Sequence, residues 1–324
     1  MAPFQANPDF SMPTLICGSV AYDTIMVFPD RFKHHILPDK VHMLSVSFLV
    51  PEMRREFGGC AGNIAYNLHL LGGEPVIMAT VGQDFGPYAE RLDALGIRHD
   101  CTRVLPTHFT PQCFITNDLD DNQITAFHPG AMSESHDNRF DHVEGLTLAL
   151  IGPDGREGML ARTRELKAAG IPFVFDPGQG MPLFSGEELL GCVAAADYLA
   201  MNDYEAALMT DKTGKTLAEL AAMVRALIVT RGADGSTIYV DGREIAIPAA
   251  RAEAVLDPTG CGDAYRAGLL FGIERGWDWE TTGRLASLLG ALKIAQRGGQ
   301  NHRFDRASLA VAYREAFGCE LPAW

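Results

Sequence analysis

Hydrophobic positions fall into short continuous runs that alternate with longer segments in which apolar residues recur every three or four positions. Continuous runs are typical of strands buried on both faces, and the wider spacing is typical of amphipathic helices. The runs predict strands at residues 14–20, 75–81, 147–151, 172–175, 198–201 and 227–230. The spaced segments predict helices at residues 61–71, 88–95, 158–169, 217–225 and 264–275. This alternation indicates an α/β fold whose mostly parallel sheet is covered by helices on both faces.

Two regions interrupt the alternation. Residues 24–50 and 107–127 carry β-rich patterns with no helix between the strands. In the second region a polar turn, Asp120-Asp121-Asn122, separates two apolar segments and predicts a hairpin. We interpret both regions as one small sheet that forms a lid over the substrate, with decoration of a sheet edge as the alternative. The chain is then one domain, residues 1–324, with an irregular leader at residues 1–11 that we expect to be disordered.

Composition and charge narrow the classes of partner. No stretch approaches the roughly 20 apolar residues of a membrane span, and the N-terminus has no signal-peptide pattern. A formal net charge of −14 disfavours nonspecific binding to nucleic acid or to an anionic membrane. The seven cysteines are scattered without a Cys-x-x-Cys pair, which favours a reducing cytoplasm with neither disulfide framework nor zinc site.

One segment near the C-terminal end combines a glycine turn, a carboxylate and the start of a helix. Residues 257–263 read Asp-Pro-Thr-Gly-Cys-Gly-Asp. Glycines let the backbone come close to a ligand, and the first N–H groups of a helix have no partner within it. The turn at Gly260, Cys261 and Gly262 is therefore a candidate anion hole, with Asp263 as a candidate base for phosphoryl transfer to a hydroxyl. An ordinary helix N-terminus with an acidic residue is the equally common alternative.

Further candidates lie towards the N-terminal end. Gly59 and Asn63 belong to a second segment that runs from glycines into a helix, where a capped turn is the alternative. Asp23 follows the first predicted strand, and ligands of α/β sheets bind where the strands end. A carboxylate at that place can accept hydrogen bonds from two neighbouring hydroxyls, as a ribose presents them.

Two segments suit the phosphate end of a nucleotide. Asn202 and Glu205 are three residues apart after a predicted strand, so they share a helical face and are candidates to organise Mg²⁺ waters and phosphates. A helix cap with a solvated glutamate is their alternative. Thr230, Gly232 and Gly235 form a strand end and a glycine turn suited to nucleotide contact, with a plain hairpin turn as the alternative.

The order of these motifs, from about Leu15 to about Gln300, resembles the ribokinase-like (pfkB) carbohydrate kinase family. The resemblance implies a ribokinase-like three-layer sandwich with a mostly parallel central sheet, flanking helices and a small β-sheet lid. It also implies transfer of the ATP γ-phosphoryl group to a primary hydroxyl, with ATP and Mg²⁺ as cofactors.

Within that family, four segments are more similar to bacterial adenosine and nucleoside kinases than to sugar kinases. They lie at residues 28–32, 45–50, 127–133 and 176–179. The resemblance implies a purine nucleoside as acceptor, with adenosine first and inosine or guanosine next. Phe48 and Phe127 fall in the two lid regions and are candidates to sandwich the purine, with packing inside the lid as the alternative. Gln179 is the candidate partner of the base edge.

The resemblance also implies a role for each candidate residue. Asp263 is the base, and the N–H groups of Gly260, Cys261 and Gly262 hold the phosphoryl charge. Residues implied to bind the nucleoside are Ser19, Asp23, Ser47, Phe48, Gly59, Asn63, Cys113, Phe127 and Gln179. Those implied to bind ATP are Asn202, Glu205 (to Mg²⁺ through water), Thr230, Gly232 and Gly235. A monovalent cation such as K⁺ is implied beside the anion hole, with Asp257, Thr259 and backbone of residues 297–300 as its ligands.

Three positions depart from the family pattern. Cys60 stands where many sugar kinases of the family have lysine, which weakens assignment as a ribokinase. Cys113 replaces an aromatic residue and Gly180 a second glutamine of the adenosine kinases, which favours a base pocket that accepts more than adenine. A kinase for ribose or fructose, and a nucleoside-binding regulator without catalysis, remain the alternatives. We expect a cytoplasmic monomer or a homodimer through the lid, with nucleoside and ATP as its small-molecule partners.

Overall fold

A computed structural model describes residues 12–36, 45–120 and 122–324. The described residues form fourteen strands: β1 (Pro13–Cys17), β2 (Ala21–Val27), β3 (Glu52–Gly58), β4 (Glu74–Met78), β5 (Thr80–Gly82), β6 (Arg103–Leu105), β7 (Gln112–Asn117), β8 (Gln123–His128), β9 (Leu148–Ile151), β10 (Phe173–Phe175), β11 (Tyr198–Asn202), β12 (Ala226–Thr230), β13 (Ser236–Val240) and β14 (Arg243–Ile247). They also form ten α-helices: α1 (Phe32–His35), α2 (Cys60–Leu70), α3 (Gly86–Leu95), α4 (Arg156–Ala169), α5 (Gly186–Ala195), α6 (Asp203–Thr213), α7 (Leu217–Ala221), α8 (Cys261–Glu274), α9 (Trp279–Ile294) and α10 (Arg306–Phe317).

Eight strands build the main sheet, in the order β14-β13-β12-β11-β10-β9-β1-β4. The six strands from β12 to β4 are parallel, and β13 and β14 extend that sheet as an antiparallel hairpin. Parallel strands bring their carboxyl ends to one edge of a sheet, where ligands of α/β proteins bind. The predicted mostly parallel sheet is confirmed.

Helices cover both faces of this sheet. Side chains alternate along β1, so that Ile16 enters the core under α2, α8 and α9, whereas Leu15 enters the core under α4 and α5. Both side chains are fully buried. Strands with two buried faces explain the continuous apolar runs in the sequence, and the predicted three-layer arrangement is confirmed.

The lid is a separate four-stranded sheet in the order β3-β2-β7-β8. Strand β2 pairs antiparallel with β3 and parallel with β7, and β7 and β8 form the predicted hairpin. Every residue of β8 is exposed, so this side of the lid is open to solvent. The predicted small sheet is thereby confirmed.

The lid boundaries differ from the predicted ones. Within the described part of 24–50 the β-structure ends at Val27, because Pro29 has no N–H to continue a ladder and the short helix α1 follows. Its first turn is held by Asp118, whose Oδ2 accepts the N–H of Phe32 at 2.9 Å. The partner strand β3 lies at 52–58, beyond the predicted region. In the second region, 107–127, the hairpin ends at His128, and Asp121 lies outside the described residues.

Two other predicted elements are shorter in the structure, and a third is divided. The strand predicted at 75–81 is interrupted at Ala79, so that β4 lies in the main sheet and β5 pairs with β6 in a separate two-stranded sheet. The strand predicted at 14–20 ends at Cys17, where the chain leaves the sheet and the N–H of Ser19 donates to the carbonyl of Pro153 at 3.1 Å. The helix predicted at 217–225 ends at Ala221. The predicted leader, residues 1–11, lies outside the described residues.

Helices α8 and α9 pack so closely that a glycine is needed between them. A Cβ on Gly268 would lie 2.6 Å from the Cα and 2.9 Å from the N of Ala286. We expect Gly268→Ala to lower the free energy of unfolding by about 1–3 kcal/mol. The added methyl group would clash with backbone atoms of Ala286, which cannot move aside by a side-chain rotation. Urea denaturation measures this.

The matched control is Gly191→Ala in α5, where an added Cβ meets nothing within 4 Å. This substitution should leave stability unchanged or raise it by about 0.5–1 kcal/mol. Equal effects of the two substitutions would contradict the close packing of α8 and α9.

Candidate functional site

Residues 257–263 form a tight turn that leads into α8. Gly260 is the N-cap and has a φ of 79°, a left-handed conformation that suits glycine. The N–H of Cys261 donates to the carbonyl of Pro258 at 3.2 Å and that of Ala264 to Gly260 at 2.9 Å. Within the described residues, the N–H groups of Gly260 and Gly262 have no such partner. Of the three N–H groups predicted to bind an anion, those of Gly260 and Gly262 are therefore free, whereas that of Cys261 donates a hydrogen bond within the turn.

Asp263 lies in the first turn of α8 and contacts α2. Its Oδ2 accepts a hydrogen bond from Asn63 Nδ2 at 2.8 Å. Burial raises the pKa of Asp263 to about 6, and the bond from Asn63 acts in the opposite direction. A carboxylate with this pKa is ionised at neutral pH and close enough to neutrality to accept and return a proton.

Asn63 is itself fixed by a chain of hydrogen bonds. Its Oδ1 accepts from Gln300 Nε2 at 3.2 Å, and the same nitrogen donates to Tyr88 Oη at 2.6 Å. Tyr88 in turn donates to the carbonyl of Gly58 at 2.9 Å. These contacts orient the Asn63 amide so that its nitrogen faces Asp263. Sequence reasoning missed Tyr88, which lies outside the recognisable motifs, and it predicted Gln300 only through its backbone, as part of the cation site.

Asp23 comes from the lid, where it lies in β2 and not at the end of a main-sheet strand as predicted. A Cβ on Gly58 would lie 2.3 Å from Asp23 Oδ2, so glycine is required for the carboxylate to rest on that backbone. Burial raises the pKa of Asp23 to about 7, and the negative charges of Asp263, Asp257 and Glu56 add to the shift. The negative charge of Asp263 therefore reaches the carboxylate of Asp23.

Gly59 and Ser19 bring the two chain segments together beside Asp23. Gly59 has a φ of 84°, and a Cβ there would lie 2.5 Å from the carbonyl oxygen of Ser19. The Ser19 hydroxyl accepts the N–H of Cys60 at 3.1 Å. The predicted ligand Ser19 is thus occupied by the N-terminus of α2, and Cys60 contributes to that contact.

Three lid residues share one row. Strand register pairs Asp23 with Cys113 and Cys113 with Phe127, and residues directly opposite in a sheet have side chains on the same face. Phe127 is 50% exposed. A carboxylate, a thiol and an aromatic ring thus share one face of the lid sheet.

Phe48 and Ser47 lie apart from that row. The ring of Phe48 packs on Phe28 and Phe32, with centroid distances of 4.7 and 5.0 Å. Packing inside the lid, the alternative to a purine sandwich, is therefore what the structure shows for Phe48. Ser47 is exposed, and no strand includes either residue.

Gln179 lies in a short 3-10 helix, Gly178–Leu183, that follows β10, and it is exposed. Just before this turn is Asp176, whose carboxylate binds the guanidinium of Arg266 at 2.9 and 3.2 Å. Both side chains are buried. Burial opposes the charge on Arg266, but Asp176 raises the pKa of the guanidinium above its usual value. The ion pair fixes the loop of Gln179 to the helix that carries Asp263.

The predicted phosphate residues form a second group along the same edge. Asn202 Oδ1 accepts the N–H of Glu205 and Glu205 Oε2 accepts the N–H of Asn202, both at 2.8 Å. This reciprocal capping box starts α6, so the capping alternative is realised. Burial and the charge of Asp176 raise the pKa of Glu205. One carboxylate oxygen of Glu205 remains available to a ligand.

Thr230 lies beside Asn202, because the two are register partners in β12 and β11. Its hydroxyl donates to the carbonyl of Met201 at 3.4 Å. Gly232 and Gly235 then close a turn in which the N–H of Arg231 donates to the carbonyl of Gly235 at 2.8 Å. These residues and Asn202 form one continuous rim at the carboxyl ends of the strands.

The carboxylates at this edge are hard oxygen ligands. A thiol and an imidazole that lie close enough together to bind a metal ion occur at another place in the fold. Within the described ranges, the group with three closely placed His, Cys, Asp or Glu ligand atoms is Asp100, Cys101 and His142. It is no part of the edge described above. The seven cysteines are free thiols in the structure. Of the helices that the structure describes, none is long and apolar enough to cross a membrane.

The chain is similar to known proteins over most of its length. The profile of the pfkB family carbohydrate kinases matches residues 19–305. A nucleoside kinase of Methanothermobacter thermautotrophicus is 31% identical over 310 residues, which cover 93% of this chain and 98% of that protein. The structure of Burkholderia thailandensis nucleoside kinase in complex with inosine is 55% identical with a TM-score of 0.88, covering 96% of this chain and all of that one. Its complex with ADP-inosine is 56% identical with a TM-score of 0.85, covering 96% and 98%.

The Arg266–Asp176 ion pair generates a stability prediction. We expect Arg266→Met to lower the free energy of unfolding by about 3–5 kcal/mol, since it leaves the buried Asp176 carboxylate without its partner. Arg314→Met is the control, because Arg314 and its partner Glu320 are 55% and 71% exposed and such pairs contribute about 0–1 kcal/mol. Urea denaturation of both variants measures the difference, and a cost below about 1 kcal/mol for Arg266→Met would show that the pair does not hold the loop.

Proposed function

Because the chain belongs to the pfkB family of carbohydrate kinases, we propose that it is an ATP-dependent nucleoside kinase that phosphorylates the 5′-hydroxyl of a purine nucleoside. Adenosine is the first candidate, with inosine and guanosine as further acceptors. The observation that carries the proposal is the pairing of Asp263 with Asn63 at the N-terminus of α8, together with the lid row of Asp23, Cys113 and Phe127. Relatives named nucleoside kinase, one of them with inosine bound, support it.

The geometry provides each part of a phosphoryl transfer. Asp263 accepts the proton of the 5′-hydroxyl as its oxygen forms a bond to the γ-phosphorus. The bond from that phosphorus to the bridging oxygen breaks, and ADP leaves with the bond's electron pair. The free N–H groups of Gly260 and Gly262, at the positive end of α8, stabilise the charge on the transferring group. The proton on Asp263 then passes to solvent.

The lid row suits the rest of a nucleoside. Asp23 is placed to accept hydrogen bonds from the two ribose hydroxyls, with the backbone of Gly59 and the amide of Asn63 beside it. Half-exposed Phe127 offers a face on which a base stacks. Gln179 is free to meet the base edge. A bare sugar would leave the aromatic end of this row without a partner.

The ATP end lies along the rim of Asn202, Thr230, Gly232 and Gly235. Mg²⁺, which the family implies, suits this rim because Glu205 keeps one carboxylate oxygen available after capping α6. Glu205 would hold the ion through water, as the sequence predicts. When bound, the ion neutralises charge on the phosphates.

A substrate panel tests the proposal. ATP turnover is measured with adenosine, inosine, guanosine, cytidine, ribose and fructose as acceptors. We expect kcat/KM to be highest for a purine nucleoside and at least about 100-fold lower for either sugar, because the sugars lack the base that stacks on the lid. Turnover on sugars alone would overturn the nucleoside assignment in favour of a sugar kinase, and adenosine binding without turnover would favour a regulator.

Replacement of the base gives a second test. We expect Asp263→Asn to lower kcat by about 10²–10⁴-fold, since the amide cannot accept the hydroxyl proton. The control is Asp211→Asn, an exposed position on α6, which should keep the wild-type kcat. A near-wild-type kcat for Asp263→Asn would remove Asp263 from the mechanism.

The raised pKa of Asp263 gives a third test, through the pH profile. Asp23 accepts hydrogen bonds from the ribose best when ionised and its pKa is about 7, so kcat/KM should begin to fall below about pH 7. The base also works when ionised, so the fall should steepen by a further factor of about ten per pH unit below the pKa of Asp263, which is about 6. Because the Asn63 bond lowers this pKa, Asn63→Ala should move the acidic limb to higher pH. Steady-state rates from pH 4.5 to 8.5 measure the acidic limb of the wild type and of Asn63→Ala. An acidic limb at the same pH in both proteins would assign the titration to a group other than Asp263.

A further inference from the structure

Lys293 is a buried cation close to the catalytic turn. It lies in the last turn of α9 and its side chain has no exposure to solvent. Its ammonium donates to two backbone carbonyls, that of Asp257 at 2.7 Å and that of Gln296 at 3.2 Å. Burying a charge without ion pairing is costly, so such a group is retained where its charge or its hydrogen bonds are used.

The ammonium bridges the turn that the sequence assigned to a monovalent cation and Gln296, which directly precedes the other assigned segment, residues 297–300. The Asp257 carboxylate spans the two assigned segments, because its Oδ1 accepts the N–H of Thr259 at 2.9 Å and its Oδ2 that of Gly298 at 2.8 Å. Thus both carboxylate oxygens and the carbonyl oxygen of Asp257, a predicted ligand of K⁺, already accept hydrogen bonds from the chain.

The charge of Lys293 also reaches the catalytic groups. It lowers the pKa of Asp257, of Cys261 and of Asp263, although burial remains the larger influence on each. A second positive ion at these oxygens would therefore face the ammonium directly, in surroundings with little water to screen the repulsion. The residues present do not suit K⁺.

We propose that the ammonium of Lys293 replaces the monovalent cation of the family, so that the chain positions its anion-binding turn without K⁺. Lys293 is a positioning residue, since it contacts the backbone of the turn and not the substrate. The kinetic part of this inference rests on the proposed kinase function, whereas ion binding is testable without it.

The kinetic experiment compares KCl with tetramethylammonium chloride at equal ionic strength. Wild-type kcat on the best acceptor should agree within about twofold between the two salts, because the needed charge is built in. In tetramethylammonium chloride, Lys293→Met should lose about 10- to 100-fold in kcat, the usual cost of a lost supporting contact, and KCl should restore part of that loss. Lys167→Met, at an exposed position of α4, is the control and should behave as the wild type. A wild-type rate that drops about tenfold without K⁺ overturns the proposal, as does an unchanged kcat in Lys293→Met.

Thermal unfolding separates failure of this inference from failure of the proposed function. The wild-type midpoint should be equal in the two salts even if no nucleoside is phosphorylated. A rise of about 2 °C or more in KCl, roughly the effect of 1 kcal/mol in a chain of this size, would show a K⁺ site and overturn the inference. The midpoint of folded Lys293→Met should rise in KCl, and if that variant fails to fold, the wild-type comparison decides alone.

Discussion

The hydrogen bond between Asn63 and Asp263 is the contact on which the arrangement of the site depends. It joins the first turns of α2 and α8, 200 residues apart in the chain, at 2.8 Å. Each of these helices follows a glycine with positive φ, so the bond also fixes the two glycine turns relative to each other. The amide of Gln300 donates to the Asn63 oxygen and is itself positioned by a hydrogen bond to Tyr88. The raised pKa of Asp263 is the result of this enclosure, because burial removes water from the carboxylate and one amide bond only partly offsets the loss.

The site carries four carboxylates, although the phosphate donor of the proposed function is itself an anion. Asp23, Asp257, Asp263 and Glu205 all belong to it, in a chain whose net charge is −14. Fixed positive groups close to the carboxylates offset this negative charge. Arg266 and Lys293 are both buried and both act on Asp263, and the N-terminus of α8 adds its dipole. Anionic substrates are therefore held by local fields, and the overall charge of the protein is a poor guide to its ligands.

The sequence predicts the main sheet, its flanking helices and most of the site edge, because these follow from local spacing and from turns whose residues are contiguous. It fails where the deciding contact is distant. Arg266 occurs in an apolar helix as an isolated charge, and only the fold brings Asp176 to it across 90 positions. Likewise Phe48 packs on Phe28 and Phe32, a choice between lid packing and ligand stacking that no periodicity decides. The lid boundaries shift for the same reason, since Asp118 from the second region holds α1 in the first.

Two carboxylates whose charges repel each other also restrict the acceptor. Asp23 lies in strand β2 of the lid and Asp263 lies in helix α8. The charge of Asp263 adds to the burial that raises the pKa of Asp23. Under the proposed function, a neutral acceptor with several hydroxyls relieves this repulsion by donating hydrogen bonds to both groups. An acceptor that already bears a phosphate near either carboxylate adds a third negative charge in a partly buried space, where Coulomb repulsion is several times stronger than in water. The same repulsion acts on the phosphorylated product, so the carboxylates that hold the acceptor also favour its release after transfer.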